Sequence, residues 1–492
     1  MRRRGSRLRL FVWALAIAGA AGGVVAGWSA EDPESIEELV VRVGRARWTR
    51  DNAVELLADP RLAWDTRLKL VAKARHNINI STFSWHNDTY GREFRRVLGD
   101  ALDRSKAKGE DLRVRVLADA SALGIFSTAF LGLESEGAKV RGFNRSSFGL
   151  SAVYDGRMHD KMLIVDGREA ILSGRNFADL YYDPHHWWLD LGVRLQGSAV
   201  QDMQMNFLKA WELTSVNRNV FSVFAPQGKL LSDLRLFWRT GRYPSGRSPL
   251  ERYMTPEFFP SYELPPGHTP VAVLYDNCLL RRRAASTDLV VALVDRAADQ
   301  VDLMTPFPNL VTDLTDALVA ASHRGVKVRL FVNGKNAAIR KGAFLLAGYP
   351  TLIRLIEEGA QVWAWEPNRE VLRELQHDDC QPTLLPPVAI HGKLLRVDDE
   401  VSVIHSSNFN YRSTYYNTES GVVVLDRGFN RALAELLEGL ITLHDFEPTC
   451  ANGSNGVVIP ELMKLLGPED VPRMREELGN KQKFLDSMSV AW

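Results

Sequence analysis

Residues 158–166 read MHDKMLIVD, and residues 390–398 read IHGKLLRVD. Both stretches have the pattern His-x-Lys-x4-Asp, and an asparagine follows each histidine at a distance of 17 residues. At ordinary residue frequencies a chain of this length should contain about 0.03 such matches by chance. A carboxylate also follows each copy, Asp190 in the first and Glu419 in the second. The chain therefore contains an internal repeat with histidine and lysine at its centre.

The segments around the two stretches repeat in the same order. Strand, helix and strand patterns lie at 77–84, 91–108 and 113–118 in the first copy and at 301–304, 311–323 and 327–332 in the second. Each His-x-Lys unit adds a further strand, at 162–165 and at 394–397. Strands that alternate with amphipathic helices predict an α/β fold. We expect two similar α/β halves related by a pseudo-two-fold axis, which would bring both motifs to one seam.

These patterns divide the chain into six segments. They are a signal or transmembrane anchor at 1–30, an N-terminal helical extension at 31–64, a first half at 65–215, a connector at 216–265, a second half at 266–445 and a C-terminal helical tail at 446–492. The connector interleaves basic and aromatic residues. This composition fits either a plain link between the halves or a segment that faces a membrane or a phosphate.

The N-terminus predicts export of the body of the protein. Five arginines precede an uncharged run from Leu10 to Ala30, and Glu31 and Asp32 follow at once. The run is long enough for a hydrophobic transmembrane helix, which needs about 20 residues. Basic residues before it would keep the N-terminus cytoplasmic. A cleaved signal peptide with a small-residue site near Ala26 is the alternative. Both readings predict an exported protein, anchored in the inner membrane or periplasmic.

Composition narrows the classes of partner. The formal net charge is +1, with 45% apolar and 25% charged residues, which is typical of a globular protein without a global basic field. We therefore expect no nucleic-acid partner. Cys278, Cys380 and Cys450 form no metal-ligand pattern and no disulfide framework. The pair His185-His186 is more typical of packing in an aromatic loop than of a metal site. No metal or other cofactor is expected.

The repeated residues suit the transfer of a phosphoryl group. A phosphodiester repels nucleophiles because it is negatively charged, and Lys161 and Lys393 can clamp its oxygens as point charges. Asn176, Asn408 and Ser406 are the candidates for further hydrogen bonds to the substrate. One neutral histidine would attack phosphorus to form a phospho-histidine, and the other would act as acid and then as base.

Four carboxylates accompany these groups. Asp190 and Glu419 are the candidates for holding the ring tautomers of His159 and His391, respectively. Asp166 and Asp398 complete the catalytic motifs, and we expect them to fix local structure beside the strands. The predicted catalytic set is His159, Lys161, Asp166, His391, Lys393 and Asp398.

Together these residues resemble the paired motifs of the phospholipase D superfamily, and within it the bacterial cardiolipin synthases. The resemblance covers about residues 65 to 445 and includes Gly174-Arg175-Asn176, Arg412-Ser413 and Asn417-Thr418-Glu419. It implies two α/β halves that share one active site and metal-independent transfer of a phosphatidyl group. It also implies that the first-half histidine, His159, is the nucleophile and that His391 is the acid and base.

One departure from the family pattern concerns the residues before each asparagine. The family usually has Gly-Gly or Gly-Ser where this chain has Ser173-Gly174 and His405-Ser406. The ring of His405 occupies a place where glycine lets the backbone approach phosphate. This substitution bears on the choice of substrate more than on the mechanism.

Three functions are consistent with these residues. The first is a membrane-facing phosphatidyl transferase that acts on phosphatidylglycerol or a similar phospholipid. The second is a phospholipase D-type phosphodiesterase, which would pass the same intermediate to water. The third is an exported nuclease, against which the near-neutral charge argues.

Overall fold

The computed structural model describes a discontinuous set of residues. They are residues 34–119, 131–143, 156–220, 248–261, 266–277, 281, 283–337, 343–368, 385–443, 445–446, 459–460 and 462–488. The predicted N-terminal anchor, most of the predicted connector and all three cysteines lie outside them. Among the helices that the structure describes, none combines the length and apolar character of a membrane-crossing segment.

The N-terminal part of the described chain alternates strands and helices. The strands are β1 (Trp48–Leu56), β2 (Asn77–Thr82), β3 (Arg113–Asp119), β4 (Lys139–Phe143), β5 (Arg157–Met158), β6 (Met162–Val165), β7 (Glu169–Ser173), β8 (Trp188–Leu189) and β9 (Gly192–Gln196). The helices are α1 (Ile36–Arg42), α2 (Pro60–Lys73), α3 (Thr89–Ala107), α4 (Leu131–Glu136) and α5 (Ser198–Val220).

The C-terminal part follows the same plan. Its strands are β10 (Thr269–Asn277), β11 (Gln300–Met304), β12 (Lys327–Asn333), β13 (Gln361–Trp365), β14 (Ala389–Ile390), β15 (Leu394–Val397), β16 (Val401–His405), β17 (Asn417–Val424), β18 (Asp445–Phe446), β19 (Ile459–Pro460) and β20 (Met463–Leu466). Its helices are α6 (Ala285–Arg296), α7 (Thr312–His323), α8 (Ala343–Glu357), α9 (Tyr411–Tyr415), α10 (Arg427–Ile441) and α11 (Val471–Met488).

Local sequence explains the boundaries of the helices and the burial of the strands. Helix α3 begins after Asp88, whose carboxylate accepts a hydrogen bond from the amide of Gly91 and so caps the N-terminus. Every residue of β2 and of β17 is buried. Buried strands of this kind require cover on both faces, and the helices provide it.

Sixteen of the described strands form one mixed sheet. Its order is β20-β13-β12-β11-β15-β16-β17-β10-β1-β9-β7-β6-β2-β3-β4, with β5 paired to β17. The order is mirrored about the central pair β10–β1. On one side it runs β1-β9-β7-β6-β2-β3-β4, and on the other side the equivalent strands of the second copy run β10-β17-β16-β15-β11-β12-β13. The mixed α/β fold expected from the repeat is therefore confirmed.

Two predicted segments were wrong in their secondary structure. The extension at 31–64 is not only helical, because β1 lies at the centre of the sheet and pairs antiparallel with both β10 and β9. The tail at 446–492 is not only helical either, because β20 adds an antiparallel edge strand next to β13 before α11 begins. In both cases tertiary pairing with the sheet decides the conformation.

Buried side chains link the two copies into one core. One apolar cluster contains Leu172 and Phe207 from the N-terminal part together with Val424 and Leu433 from the C-terminal part. The described residues from Ile36 onward accordingly form one unit. This shared core holds together the interface between the two copies, where the two His-x-Lys motifs lie.

Candidate active site

Two short parallel bridges present the histidines to the opposite copy. Strand β5 ends just before His159 and pairs with the start of β17, so that Met158 lies opposite Thr418. Strand β14 ends just before His391 and pairs with β8, so that Ile390 lies opposite Leu189. The residue after Thr418 is Glu419, and the residue after Leu189 is Asp190. Each histidine is therefore brought beside the acid that belongs to the other half.

The first bridge joins His159 to Glu419. Nδ1 of His159 lies 3.0 Å from Oε2 of Glu419, and the backbone amide of His159 donates to the carbonyl of Thr418 at 3.1 Å. Glu419 also accepts hydrogen bonds from Oγ of Ser406 at 2.5 Å and from Nδ2 of Asn417 at 2.9 Å. Burial alone would raise the pKa of Glu419, but His159, Lys161 and Ser406 outweigh it and hold this pKa at about 2.

The second bridge joins His391 to Asp190. Nδ1 of His391 lies 2.5 Å from Oδ2 of Asp190, and the amide of Gly174 donates to Oδ1 of Asp190 at 3.2 Å. Burial opposes ionisation of Asp190, yet Lys393 and His391 keep its pKa below the ordinary value. Burial and the charge of Lys393 lower the pKa of His391 to about 3 despite Asp190. The pairing is thus crossed, and the expected pairs Asp190–His159 and Glu419–His391 were wrong.

The two lysines lie buried beneath the histidines. Nζ of Lys161 donates to the carbonyl of His159 at 2.6 Å, and Nζ of Lys393 donates to the carbonyl of His391. Lys161 and Lys393 are 3% and 1% exposed, so each ammonium is largely removed from bulk water. Burial lowers the pKa of Lys161 to about 8 and that of Lys393 to about 7, while the carboxylates nearby act in the opposite direction.

The groups of both copies lie within electrostatic reach of one another. Lys393 lowers the pKa of His159, and Lys161 lowers the pKa of His391. In the same way Asp190 raises the pKa of Lys161. Backbone contacts join the two sets of residues: the carbonyl of Lys161 accepts from the amide of Ser173 at 3.2 Å, and the next amide, that of Gly174, donates to Asp190 beside His391. The structure therefore brings both histidines, both lysines and both supporting acids together in one site.

The two asparagines hold equivalent positions but differ in their contacts. Asn176 donates from Nδ2 to the hydroxyl of Tyr181 at 3.0 Å and accepts at Oδ1 from the amide of Ser84 at 3.1 Å. Within the described residues, Oδ1 of Asn408 is buried without a hydrogen-bond partner. The side chain of Asn176 is thus held by the protein. That of Asn408 retains unused hydrogen-bonding capacity.

Ser406 and His405 both contact protein groups beside the site. The hydroxyl of Ser406, a candidate donor to the substrate, donates a hydrogen bond to Glu419 and accepts one from the amide of Ser420 at 2.9 Å. The ring of His405 is 1% exposed, packs against Gly421 and accepts at Nδ1 from the amide of Ser407 at 2.8 Å. Both side chains therefore contact residues of the protein that surround the site.

The motif aspartates bind backbone amides beside the strands, as their position indicated, and their place in the predicted catalytic set stays a prediction. Asp166 accepts from the amides of three consecutive residues, 75–77, at 2.8 to 2.9 Å. Asp398 accepts from the amides of residues 298–300 at 2.8 to 3.1 Å. Both have positive φ, 53° and 49°. They therefore pin the turns that lead into β2 and β11, at the opposite end of each motif strand from its lysine.

Aromatic rings that the sequence did not single out surround the imidazoles. The centroid of Phe83 lies 5.3 Å from that of His159. The centroids of Tyr181 and Trp188 lie 5.3 Å and 5.4 Å from that of His391. Both neighbours of His391 come from the first copy, which again crosses the seam. Sequence spacing contains no signal for these contacts. No group of three or more His, Cys, Asp or Glu side chains suited to a metal ion occurs among the described residues.

A polar residue at the end of a neighbouring strand also steadies each histidine. Asn333, the last residue of β12, donates to the carbonyl of Ile390 and accepts from its amide, both at 2.7 Å. Asp119, the last residue of β3, accepts from the amide of Met158 at 2.8 Å. Asp119 and Asn333 occupy the same place in the repeat. That equivalence in the sequence was the signal that could have identified them as residues that hold the site.

Comparison with known proteins agrees with this geometry. Residues 290–441 match the family model described as "Cardiolipin synthase, PLD-like domain". A cardiolipin synthase of Listeria welshimeri is 23% identical over 408 residues, which cover 81% of this chain and 71% of that protein. Cardiolipin synthase B of Shigella flexneri is 24% identical over 406 residues, which cover 81% and 82%. The crystal structure of a phosphatidylserine synthase of Haemophilus influenzae shares the fold, with a TM-score of 0.60, 14% identity and coverage of 93% and 98%.

Proposed function

We propose that this chain is a member of the phospholipase D superfamily and a phosphatidyl transferase of the cardiolipin synthase type. The observation that carries the proposal is the crossed arrangement, in which one site contains two carboxylate-held imidazoles and two buried ammonium groups. The names of the similar proteins, cardiolipin synthases, support a phospholipid as substrate. The mirrored strand order supports a pseudo-two-fold axis through the seam.

Charge balance explains how the site would bind a phosphodiester. With both lysines protonated, Glu419 and Asp190 ionised and both imidazoles neutral, the six groups carry no net charge. A bound phosphodiester adds one negative charge, which Lys161 and Lys393 offset directly. That added charge favours protonation of one imidazole, because an anion nearby raises the pKa of histidine. Substrate binding thereby prepares the acid that the reaction needs.

The orientation of the rings assigns the reacting atoms. Nδ1 of His159 faces Glu419, so its Nε2 is the atom that remains for phosphorus. In the first step a P–N bond forms at Nε2 of His159 and the P–O bond to the departing alcohol breaks. His391, protonated, gives its proton to the departing oxygen. The carboxylates hold the tautomers and stabilise the imidazolium forms.

The second step reverses the roles. An acceptor hydroxyl gives its proton to His391 and attacks phosphorus, and the P–N bond breaks to leave neutral His159. With phosphatidylglycerol as both donor and acceptor, the products are cardiolipin and glycerol. The proposed location is the outer face of the inner membrane or the periplasm, reached through the N-terminal apolar segment.

Incubation with phosphatidylglycerol vesicles tests the proposal. We expect a tetra-acyl product and released glycerol in lipid mass spectrometry. His159→Ala should abolish turnover, because it removes the covalent route. His391→Ala should reduce turnover by about 100- to 10,000-fold. His323→Ala is the matched control, because this exposed histidine pairs with Glu358 away from the site. Phosphatidic acid as the main product would identify a hydrolase instead, and no reaction with any phospholipid would refute the proposal.

A further inference from the structure

One buried acid beside the site has no part in the chemistry above. Asp160 lies between His159 and Lys161 and is 1% exposed. Its Oδ2 accepts a hydrogen bond from Oγ1 of Thr418 at 2.5 Å, and the same oxygen of Thr418 accepts from the backbone amide of His159 at 3.3 Å. Thr418 directly precedes Glu419. Asp160 is therefore tied to the strand that supplies the carboxylate partner of His159.

The two acids on either side of this bridge differ in their hydrogen bonding. Glu419 receives hydrogen bonds from three side chains, as described above. Asp160 receives a hydrogen bond from Thr418 at 2.5 Å, and Ser420 also acts on its carboxyl group. Burial raises the pKa of Asp160 to about 7, an effect that Thr418 and Ser420 oppose only in part. Asp160 thus gains or loses a proton in the neutral range, whereas Glu419 remains ionised.

The charged groups that act on Asp160 are Glu419 on β17 and Lys161 on its own segment. Glu419 disfavours a second negative charge here, and Lys161 favours it. In return Asp160 raises the pKa of Lys161, together with Glu419, Asp190 and Asp119. An ionised Asp160 therefore helps to keep the ammonium of Lys161 protonated although it is buried.

The second copy has no equivalent of this acid. Gly392 lies between His391 and Lys393, and a Cβ atom there would come within 2.7 Å of Sδ of Met304 and 3.2 Å of Cγ of Leu191. A side chain at this position would require Met304 to shift, and the additional carboxyl group is present in the first half alone. The two lysines consequently sit in unequal electrostatic surroundings.

We propose that Asp160 is a positioning residue specific to the first half: through Thr418 it ties His159 to the strand that carries Glu419, and it puts a buried carboxyl group next to Lys161 for which Lys393 has no counterpart. The turnover measurement below rests on the proposed function, whereas the titration does not. This separation makes a failure of the inference distinguishable from a failure of the proposed activity.

The lipid-free test is a titration of the full chain labelled with ε-¹³C-lysine and followed by NMR. The wild type should show two lysine signals that titrate well below the others, and Lys161→Arg and Lys393→Arg assign them. In Asp160→Asn the Lys161 midpoint should move to lower pH by about half a unit or more, because one nearby carboxylate is lost. The Lys393 midpoint should move less. An unchanged Lys161 midpoint would overturn the inference.

The second test is the pH profile of kcat on phosphatidylglycerol. The alkaline limb depends on both lysines, so in Asp160→Asn its part above pH 7 should shift to lower pH, since Lys161 loses its proton earlier, and Asp160→Glu should restore it. Thr418→Val should shift the limb in the same direction as Asp160→Asn, since it removes the hydrogen bond to Asp160 together with the weaker contact to the amide of His159. Asp470→Asn is the control, a buried carboxylate bound to Lys464 at the far edge of the sheet. If Asp160→Asn does not fold, Asp160→Gly, which copies Gly392, replaces it. A profile identical to the wild type in the folded variant would contradict the inference.

Discussion

Glu419 and Asp190 each serve the histidine of the opposite copy, so replacing them should affect the two steps unequally. Glu419→Gln keeps the shape but removes the negative charge beside His159, so formation of the covalent adduct should slow by about 100- to 10,000-fold. Asp190→Asn should slow both formation and breakdown of the adduct, because His391 is the acid in the first step and the base in the second. Rapid-quench single-turnover measurements with labelled phosphatidylglycerol would separate the two.

The control for this pair of variants is Glu358→Gln, which alters a histidine–glutamate contact of 2.8 Å at the exposed surface. It should leave both steps unchanged. A Glu419→Gln variant that forms the adduct at the normal rate would contradict the crossed assignment.

Lys393 illustrates the conflict between function and stability at a single residue. Its pKa is lowered from 10.5 to about 7, so the folded state disfavours its ammonium form. Below pH 7 this penalty is fully present. As the pH rises from 7 towards 10.5, the unfolded chain binds more protons than the folded one, and the stability of the protein increases.

Lys393→Met should therefore stabilise the protein at pH 6 by about 2 kcal/mol and much less at pH 10, while turnover is lost. Urea unfolding at both pH values measures the difference. An equal effect at pH 6 and pH 10 would show that packing, rather than charge, sets the stability change.

At the scale of elements, the two ends of each motif strand have different roles: one carries the reacting residues and the other stabilises the fold. His and Lys lie at the end of each motif strand that faces the seam, whereas Asp166 and Asp398 bind backbone amides at the far end. Asp166→Asn and Asp398→Asn should each destabilise the protein by about 1 to 3 kcal/mol, since charge-assisted bonds to three backbone amides are lost in each case.

In the same two variants kcat per folded molecule should stay within about twofold of the wild type, because neither side chain contacts the reacting atoms. Thermal unfolding and turnover on one preparation test both expectations. A large fall in kcat with unchanged stability would assign a catalytic role to these aspartates.

The elements also show how far the sequence alone could lead. Strands β2, β6, β11 and β15 were predicted because their apolar runs and the repeat itself are local signals. Strand β1 was missed because its burial does not alternate regularly and its partners, β9 and β10, are distant in sequence. The crossed acids were misassigned because their spacing from both histidines says nothing about which bridge forms.

For the whole molecule, the site exists only where both copies meet within one chain. His159 requires Glu419 from the C-terminal part, and His391 requires Asp190 from the N-terminal part. Mixing His159→Ala protein with His391→Ala protein should therefore not restore turnover of phosphatidylglycerol. Recovery of a quarter or more of wild-type activity would indicate exchange of halves between chains.

The pairing between β5 and β17 has a consequence for where compensating mutations should occur in the gene. A lesion near residue 159 and its compensating change need not be neighbours in the gene, since the partner carboxylate is encoded 260 codons downstream. Second-site revertants of weakened alleles in the first motif should accordingly map around residues 417–420. A mutation that inactivates one copy therefore also removes a residue that the other copy needs.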